Sequence, residues 1–100
     1  MNAAPAERES VAEIATAHAS RYLQQLCKHF QHKVAVTFDP HSGLIDFPVG
    51  ECRLAADDAT LTLRLKAQGG EDMERLKDVV ARHLVRFAFR EEMTVDWRPV

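Results

Sequence analysis

The stretch T-L-T-L-R-L-K-A at residues 60–67 decides the fold class, because its polar and apolar side chains alternate without a break. Three leucines and Ala67 occupy every second position, and threonines, Arg64 and Lys66 occupy the positions between them. Strict alternation is the pattern of a β-strand that buries one face and keeps the other polar, as strands of antiparallel sheets do.

Five more extended runs and two helical patterns surround this strand. The extended runs cover residues 10–17, 34–39, 44–47, 51–56 and 93–97. Pro40–Gly43 and Asp57–Ala59 carry turn chemistry, so the Asp57-Asp58 pair is interpreted as part of a hairpin turn. The order β-α-β-β-β-β-α-β predicts an α+β domain, in which two helices pack on one face of an antiparallel sheet of five to six strands.

The two helices are predicted at residues 19–32 and at residues 71–89. In each, apolar residues recur every three to four positions and form one stripe that faces a core. Either Thr16 or His18 has to cap the first helix, and of the two only Thr16 is a good N-cap residue. The stripes consist of Tyr22, Leu23, Leu26, Cys27 and Phe30 in the first helix, and of Met73, Leu76, Val80, Leu84 and Phe87 in the second.

One hundred residues correspond to one domain, which we place at residues 10–100 after a flexible N-terminal tail at residues 1–9. No uncharged apolar run approaches the roughly 18 residues that cross a bilayer, and no signal-peptide pattern is present. Two cysteines are too few for a disulfide framework, so a cytoplasmic protein is expected. Thirteen basic and fifteen acidic residues, a net charge of −2, argue against nucleic-acid binding and against a membrane-surface helix.

Histidine is the residue type whose number stands out, with five in the chain. His83 lies about 40° from the centre of the second stripe and is expected to be substantially buried, whereas His29 lies about 90° from the first stripe, at the border with solvent. His83 is interpreted either as a core histidine bonded to a backbone carbonyl, which is favoured, or as a ligand or acid–base group in a pocket. His18, His32 and His41 are assigned to a helix entrance, a solvated helix face and a turn.

A groove between the helices is the candidate ligand site. If the helices pack side by side, His29, His83, Arg86 and Arg90 can surround one groove. Arg21 lies on the exposed side of the first helix and is included among the candidate ligand-binding residues. A guanidinium there suits a carboxylate or a phosphate. The alternative is that Arg86 and Arg90 pair with acidic neighbours, namely Asp78, Glu91 and Glu92.

Metal binding and catalysis have weaker support. His29 and His83 are the candidate metal ligands, but structural zinc needs four ligands and catalytic zinc three. Cys27 and Cys52 point toward the core, where a free cysteine behaves as a small apolar residue. No nucleophile elbow, phosphate-binding loop, dinucleotide fingerprint or zinc-protease motif occurs, so no catalytic residue is assigned and no cofactor is identified.

Two motifs carry a family resemblance. S-R-Y-L-Q-Q-L-C-K-H-F at residues 20–30 and H-L-V-R-F-A-F-R-E-E at residues 83–92, with G-L-I-D-F between them, resemble the bacterial family called domain of unknown function 2218. The resemblance covers residues 11–99 and implies a stand-alone cytosolic protein without an assigned activity. The residues that match its pattern are Arg21, Tyr22, His29, His83, Arg86, Phe87, Phe89, Arg90 and Glu91.

The sequence therefore favours a binding module for a small anion or a metal ion, with its site in the groove between the helices. One alternative is a structural or interaction protein that forms a homodimer through the polar face of the sheet, which carries Thr37, Arg53, Arg64 and Lys66. A second alternative is an enzyme that uses His83 as an acid or base.

Overall fold

The computed structural model describes residues 7–100 and has the predicted α+β architecture and element order. The elements are β1 (Arg8–Ala15), α1 (Ala19–Phe30), β2 (Ala35–Phe38), β3 (Ser42–Phe47), β4 (Gly50–Ala56), β5 (Thr60–Ala67), α2 (Gly70–Phe87) and β6 (Arg98–Pro99). The six strands form one antiparallel sheet in the order β2-β3-β4-β5-β1-β6.

The alternating face of β5 is the centre of the core. Leu61, Leu63 and Leu65 are fully buried, and both helices pack on this face of the sheet. The apolar stripe of α1 is buried as predicted from Tyr22 to Phe30. Val34, Val36 and Phe38 also lie against the core from the edge of the sheet. Period-two and period-3.6 patterns therefore identified the buried faces correctly.

The first strand begins at Arg8, two residues earlier than predicted. Arg8 and Glu9 pair with Ala67 and Lys66, because β5 is long enough to offer partners to both. Glu9 also forms an ion pair with Arg64 on the outer face of the sheet, with 2.7 Å between Glu9 Oε2 and Arg64 Nη1. Of the predicted tail, residues 1–6 lie outside the described residues.

Both helices end two residues before their predicted ends. α1 ends at Phe30 rather than His32, and α2 ends at Phe87 because Ala88 leaves the helical region, at φ −94° and ψ 36°. Phe89 and Arg90 therefore lie in a turn after α2 instead of on its flank. Among residues 7–100, no helix is long and apolar enough to cross a membrane.

Of the two residues predicted to cap α1, the structure uses His18 instead of Thr16. His18 is the N-cap residue and makes no side-chain capping bond. Thr16 lies two residues earlier, where its Oγ1 accepts a hydrogen bond from the backbone N–H of His18 at 3.0 Å. The Thr16 hydroxyl is then free to donate elsewhere, and it does so to a residue beyond α2.

The closing strand predicted at residues 93–97 is wrong. That segment has no strand partner within residues 7–100, and β6 consists of Arg98 and Pro99, which pair with Val11 and Ser10. Met93, Val95 and Trp97 nevertheless pack against the core. Alternation reports which side chains are buried, and an extended segment can bury every second side chain without a hydrogen-bonded neighbour.

The hairpin turns carry the expected chemistry at their aspartates. Asp57 Oδ1 accepts hydrogen bonds from the backbone N–H groups of Ala59 and Thr60, at 2.9 and 2.7 Å, and these bonds lower the pKa of its carboxyl. This is a turn role, as predicted. Gly50 has a φ of +155°, and a Cβ there would overlap the carbonyl oxygen of Lys66, so the turn before β4 requires glycine.

Candidate functional site

A cleft of about 480 Å³ opens between the first half of α1 and the turn after α2. One wall comes from α1 and the residue that precedes it, and the other comes from the end of α2 and the following turn. Its lining combines two guanidiniums, one carboxylate and three aromatic rings. The lining residues are His18, Arg21, Tyr22, Gln25, Phe87, Phe89, Arg90 and Glu91.

Glu91 joins the two walls. Its carboxylate accepts hydrogen bonds from the hydroxyl of Thr16, at 3.1 and 3.2 Å, and from the phenol of Tyr22. The bond to Glu91, with burial as a smaller cause, raises the pKa of Tyr22. These contacts hold the turn after α2 against the start of α1, so they fix the width of the cleft.

Among the described residues, the two arginines of the cleft have no carboxylate partner. Neither Arg21 nor Arg90 forms an ion pair within residues 7–100, although six other basic side chains do. Arg90 instead places its guanidinium carbon 5.4 Å from the centre of the Phe89 ring. A guanidinium that is not paired with a carboxylate has its hydrogen-bond donors available to a ligand.

The alternative that Arg86 and Arg90 pair with their acidic neighbours does not describe the structure of residues 7–100. Asp78 lies 3.9 Å from Arg82, one turn along α2. Glu91 is bound to the two hydroxyl groups, and Glu92 forms no ion pair among the described residues. Arg86 is exposed and is likewise unpaired in residues 7–100.

His29 and His83 meet at the contact between the two helices. Their ring centroids are 4.8 Å apart, and Phe30 and Phe87 lie against the same pair. His83 Nδ1 donates a hydrogen bond to the carbonyl oxygen of Val79 at 2.7 Å. That bond is of the kind expected for a core histidine, although the side chain of His83 is only partly buried.

His29, rather than His83, is the histidine with a buried and unpartnered atom. Its Nε2 has no hydrogen-bond partner among the described residues. Burial lowers the pKa of His29, and the positive charges of His83, Lys33 and Arg86 lower it further. His29 is partly buried, at the border with solvent as predicted, but its angle on α1 could not show that the rings of Phe87 and His83 from α2 lie against it.

The predicted site residues fall into two adjacent groups instead of one groove. Arg21 and Arg90 line the cleft, whereas His29 and His83 form the packed pair, with Arg86 close enough to influence His29. Phe87 belongs to both groups, since it lines the cleft and its ring centre lies 5.6 Å from that of His29.

Several lining residues did not emerge from periodicity. Tyr22 was assigned only to the core, and Phe89 and Glu91 were assigned no function. All three belong to the two family motifs, so the resemblance was the signal that marked them. His18 at the entrance of α1 and His41 in a turn lie where they were predicted. His32 is exposed as predicted, but it lies after the end of α1 rather than on a helix face.

A metal site would rest on the histidine pair alone. Within residues 7–100 no group of three or more histidine, cysteine or acidic side chains is placed to hold a metal ion. His29 and His83 can supply two imidazole ligands, so a metal there would need its other ligands from solvent or from a bound molecule.

Both cysteines are buried and free, as predicted. Burial raises the pKa of the Cys27 thiol to about 11 and raises that of Cys52 as well. A thiol with a raised pKa is protonated at neutral pH and is a poor nucleophile. The two residues therefore act as small apolar side chains between α1 and β4.

These features define a class: a single antiparallel sheet with two helices on one face and a charged, aromatic-lined cleft where the helices meet. The chain belongs to the family described as uncharacterised proteins conserved in bacteria, domain of unknown function 2218, whose profile matches residues 11–98. The resemblance carried by the two motifs is thereby confirmed.

A solved relative has the same fold. The chain is similar to PA4090 from Pseudomonas aeruginosa, whose structure was determined by NMR, with 33% sequence identity and a TM-score of 0.77. The similarity covers 91% of this chain and 95% of that one. A comparison with curated proteins gives no match.

Proposed function

We propose that the protein is a binding module for a small anionic molecule, which binds in the cleft between α1 and the turn after α2. The observation that carries the proposal is that Arg21 and Arg90 line one concave site and have no ion-pair partner in residues 7–100. A carboxylate or phosphate would supply the partner that the chain does not.

The physical argument rests on the geometry of the guanidinium group. Its donors form a planar fork that matches a carboxylate or phosphate, and such charge-assisted bonds are stronger than neutral ones. A cleft of about 480 Å³ falls within the range of known small-molecule sites. Glu91 does not cancel the positive charge fully, since one carboxylate faces two guanidiniums.

The test is an NMR titration of the ¹⁵N-labelled protein with acetate and with inorganic phosphate. We expect saturable shifts at Arg21, Gln25 and Arg90, and a loss of affinity of about 10- to 100-fold in Arg21→Gln and in Arg90→Gln. Arg75→Gln is the matched control, because Arg75 is an exposed, ion-paired residue of α2 outside the cleft. Equal affinities in all three variants would contradict the proposal.

The histidine pair supports a metal ion as a second candidate ligand. The supporting observation is the buried, unpartnered Nε2 of His29 beside the ring of His83. Titration with zinc, ferrous and ferric iron, followed through the imidazole resonances, tests it. No perturbation of His29 or His83 at stoichiometric metal would eliminate this candidate.

Two other proposals have less support. A homodimer through the sheet would use an outer face on which Glu9, Glu13 and Glu51 are already ion-paired within the chain, and sedimentation velocity would detect it. An acid–base role for His83 would rely on its Nε2, because Nδ1 donates to Val79. The two free, buried thiols favour a reducing compartment, which supports a cytoplasmic location.

A further inference from the structure

We infer that the cleft selects anions that carry a flat aromatic ring, an inference that rests on the proposed function and names the class of its ligand. The residues that carry it are Phe89 and Arg90, which stand together in the turn after α2.

Phe89 is the most exposed large apolar side chain of the described chain. It is 77% exposed, whereas Val85, one turn earlier, is 46% exposed. An exposed ring inside a concave site is an apolar surface that a ligand can cover, and covering it is favourable because apolar area leaves water. Phe87 and Tyr22 extend the same aromatic surface into the cleft.

Arg90 adds a geometric restriction. Its guanidinium lies over Phe89, 5.4 Å from the ring centre, and a guanidinium over a ring is held by a cation–π interaction. The carboxylate of a ligand that reaches this guanidinium therefore approaches beside the phenyl ring. A planar ring attached directly to that carboxylate can stack against Phe89 or meet its edge, and both arrangements are favoured between aromatic groups.

A puckered ring or a short aliphatic chain fits this arrangement less well. A saturated ring of the same size gains apolar contact but no aromatic stacking. Acetate and phosphate reach the guanidiniums but leave Phe89 in water. The expected order of affinity is an aromatic carboxylate, then a saturated cyclic carboxylate, then acetate.

The test compares benzoate, cyclohexanecarboxylate and acetate by NMR titration of the wild-type protein and two variants. We expect benzoate to bind about tenfold more tightly than acetate in the wild type, with cyclohexanecarboxylate between them. Phe89→Ala should remove this preference, so that benzoate and acetate bind with similar affinity in the variant. Val85→Ala is the matched control, because Val85 is an exposed apolar residue that does not line the cleft.

The outcomes separate the ligand class from the function on which it rests. Equal affinities for benzoate and acetate in the wild type, or a benzoate preference that survives in Phe89→Ala, would overturn the selectivity and leave the anion site standing. Binding of none of the three anions would overturn both. A preference lost in Phe89→Ala and kept in Val85→Ala supports the inference.

Discussion

The histidine pair and the arginine cleft share Phe87, yet their polar groups are in opposite situations. At the pair, aromatic rings surround His29 and leave its buried Nε2 without a partner. At the cleft, Arg21 and Arg90 are exposed and keep their charge and their donors. Burying a polar atom without a hydrogen-bond partner destabilises the folded state, whereas exposed arginines have little effect on its stability.

This difference separates residues that shape the molecule from residues that can meet a ligand. Side chains at the pair should influence stability strongly, while the exposed side chains of the cleft, such as Phe89 and Arg90, should influence binding and leave stability almost unchanged. Each of the following predictions tests one side of that division.

The largest difference in stability is expected between a variant of Phe30, which packs against His83 of the histidine pair, and a variant of Phe89, which lines the cleft. Phe30→Ala removes a ring that is 5% exposed and packs against Phe47 and His83 at 4.9 Å, so it should destabilise the protein by about 3 to 5 kcal/mol. Phe89→Ala removes an exposed ring and should change the free energy of unfolding by less than about 0.5 kcal/mol. Urea unfolding measures both, and similar losses would show that the cleft is part of the packed core.

A smaller effect is expected where the two walls of the cleft are joined. Tyr22→Phe removes the hydroxyl that donates to Glu91 and should cost about 1 kcal/mol. It should also weaken anion binding, because the turn that carries Arg90 loses one of its two anchors. Ser20→Ala is the control, since that hydroxyl bonds to the Pro40 carbonyl in an exposed position. Unchanged stability and affinity in Tyr22→Phe would mean that Thr16 alone holds Glu91.

Part of the pH dependence of the free energy of unfolding should come from the protonation of His29. In the folded protein the pKa of His29 lies below the ordinary value of 6.5. At a pH between these two values, the unfolded chain therefore binds more protons at His29 than the folded protein does. The contribution of His29 is fully present above pH 6.5 and is lost as the pH falls from 6.5 through the folded pKa. His29→Leu should flatten this part of the profile, whereas His32→Gln, an exposed residue, should keep it. An unaltered profile in His29→Leu would contradict the desolvated state of this imidazole.

The smallest effect on stability is expected at Arg90. Arg90→Gln removes an exposed charge without an ion pair in the described chain, so the free energy of unfolding should change by less than about 0.5 kcal/mol. Thermal unfolding measures this change in the same variant that should lose anion affinity. A decrease of several kcal/mol in the free energy of unfolding would show that Arg90 is a structural residue. It would contradict the separation between residues that stabilise the fold and residues that bind a ligand.

Periodicity along the chain predicted much of this architecture. The alternation of residues 60–67 and the stripes of the two helices depend only on which side chains are buried, and each element carries that information locally. The fold class, the element order and the buried cysteines followed from it.

The details of the site depend on contacts between elements, which one element's pattern does not contain. The angle of His29 on α1 correctly placed it at the border with solvent, where it is partly buried, but it did not show that the rings of Phe87 and His83 from α2 lie against it. No glycine or proline marks the end of α2, so the sequence did not show that Arg90 and Glu91 lie in a turn. Glu91 accepts hydrogen bonds from Tyr22 in α1 and from Thr16 between β1 and α1, and no local rule connects residues so distant in the chain.

Because Cys27 and Cys52 are buried, the natural chain is expected to react little with thiol-directed labels. Neither sulfur is accessible or readily ionised, and these are the protein's two cysteines. A single cysteine introduced on the exposed wall of the cleft, as in Gln25→Cys, would therefore accept a fluorescent or fluorine label selectively. Such a label would let a collection of anions be screened directly at the place where binding is expected.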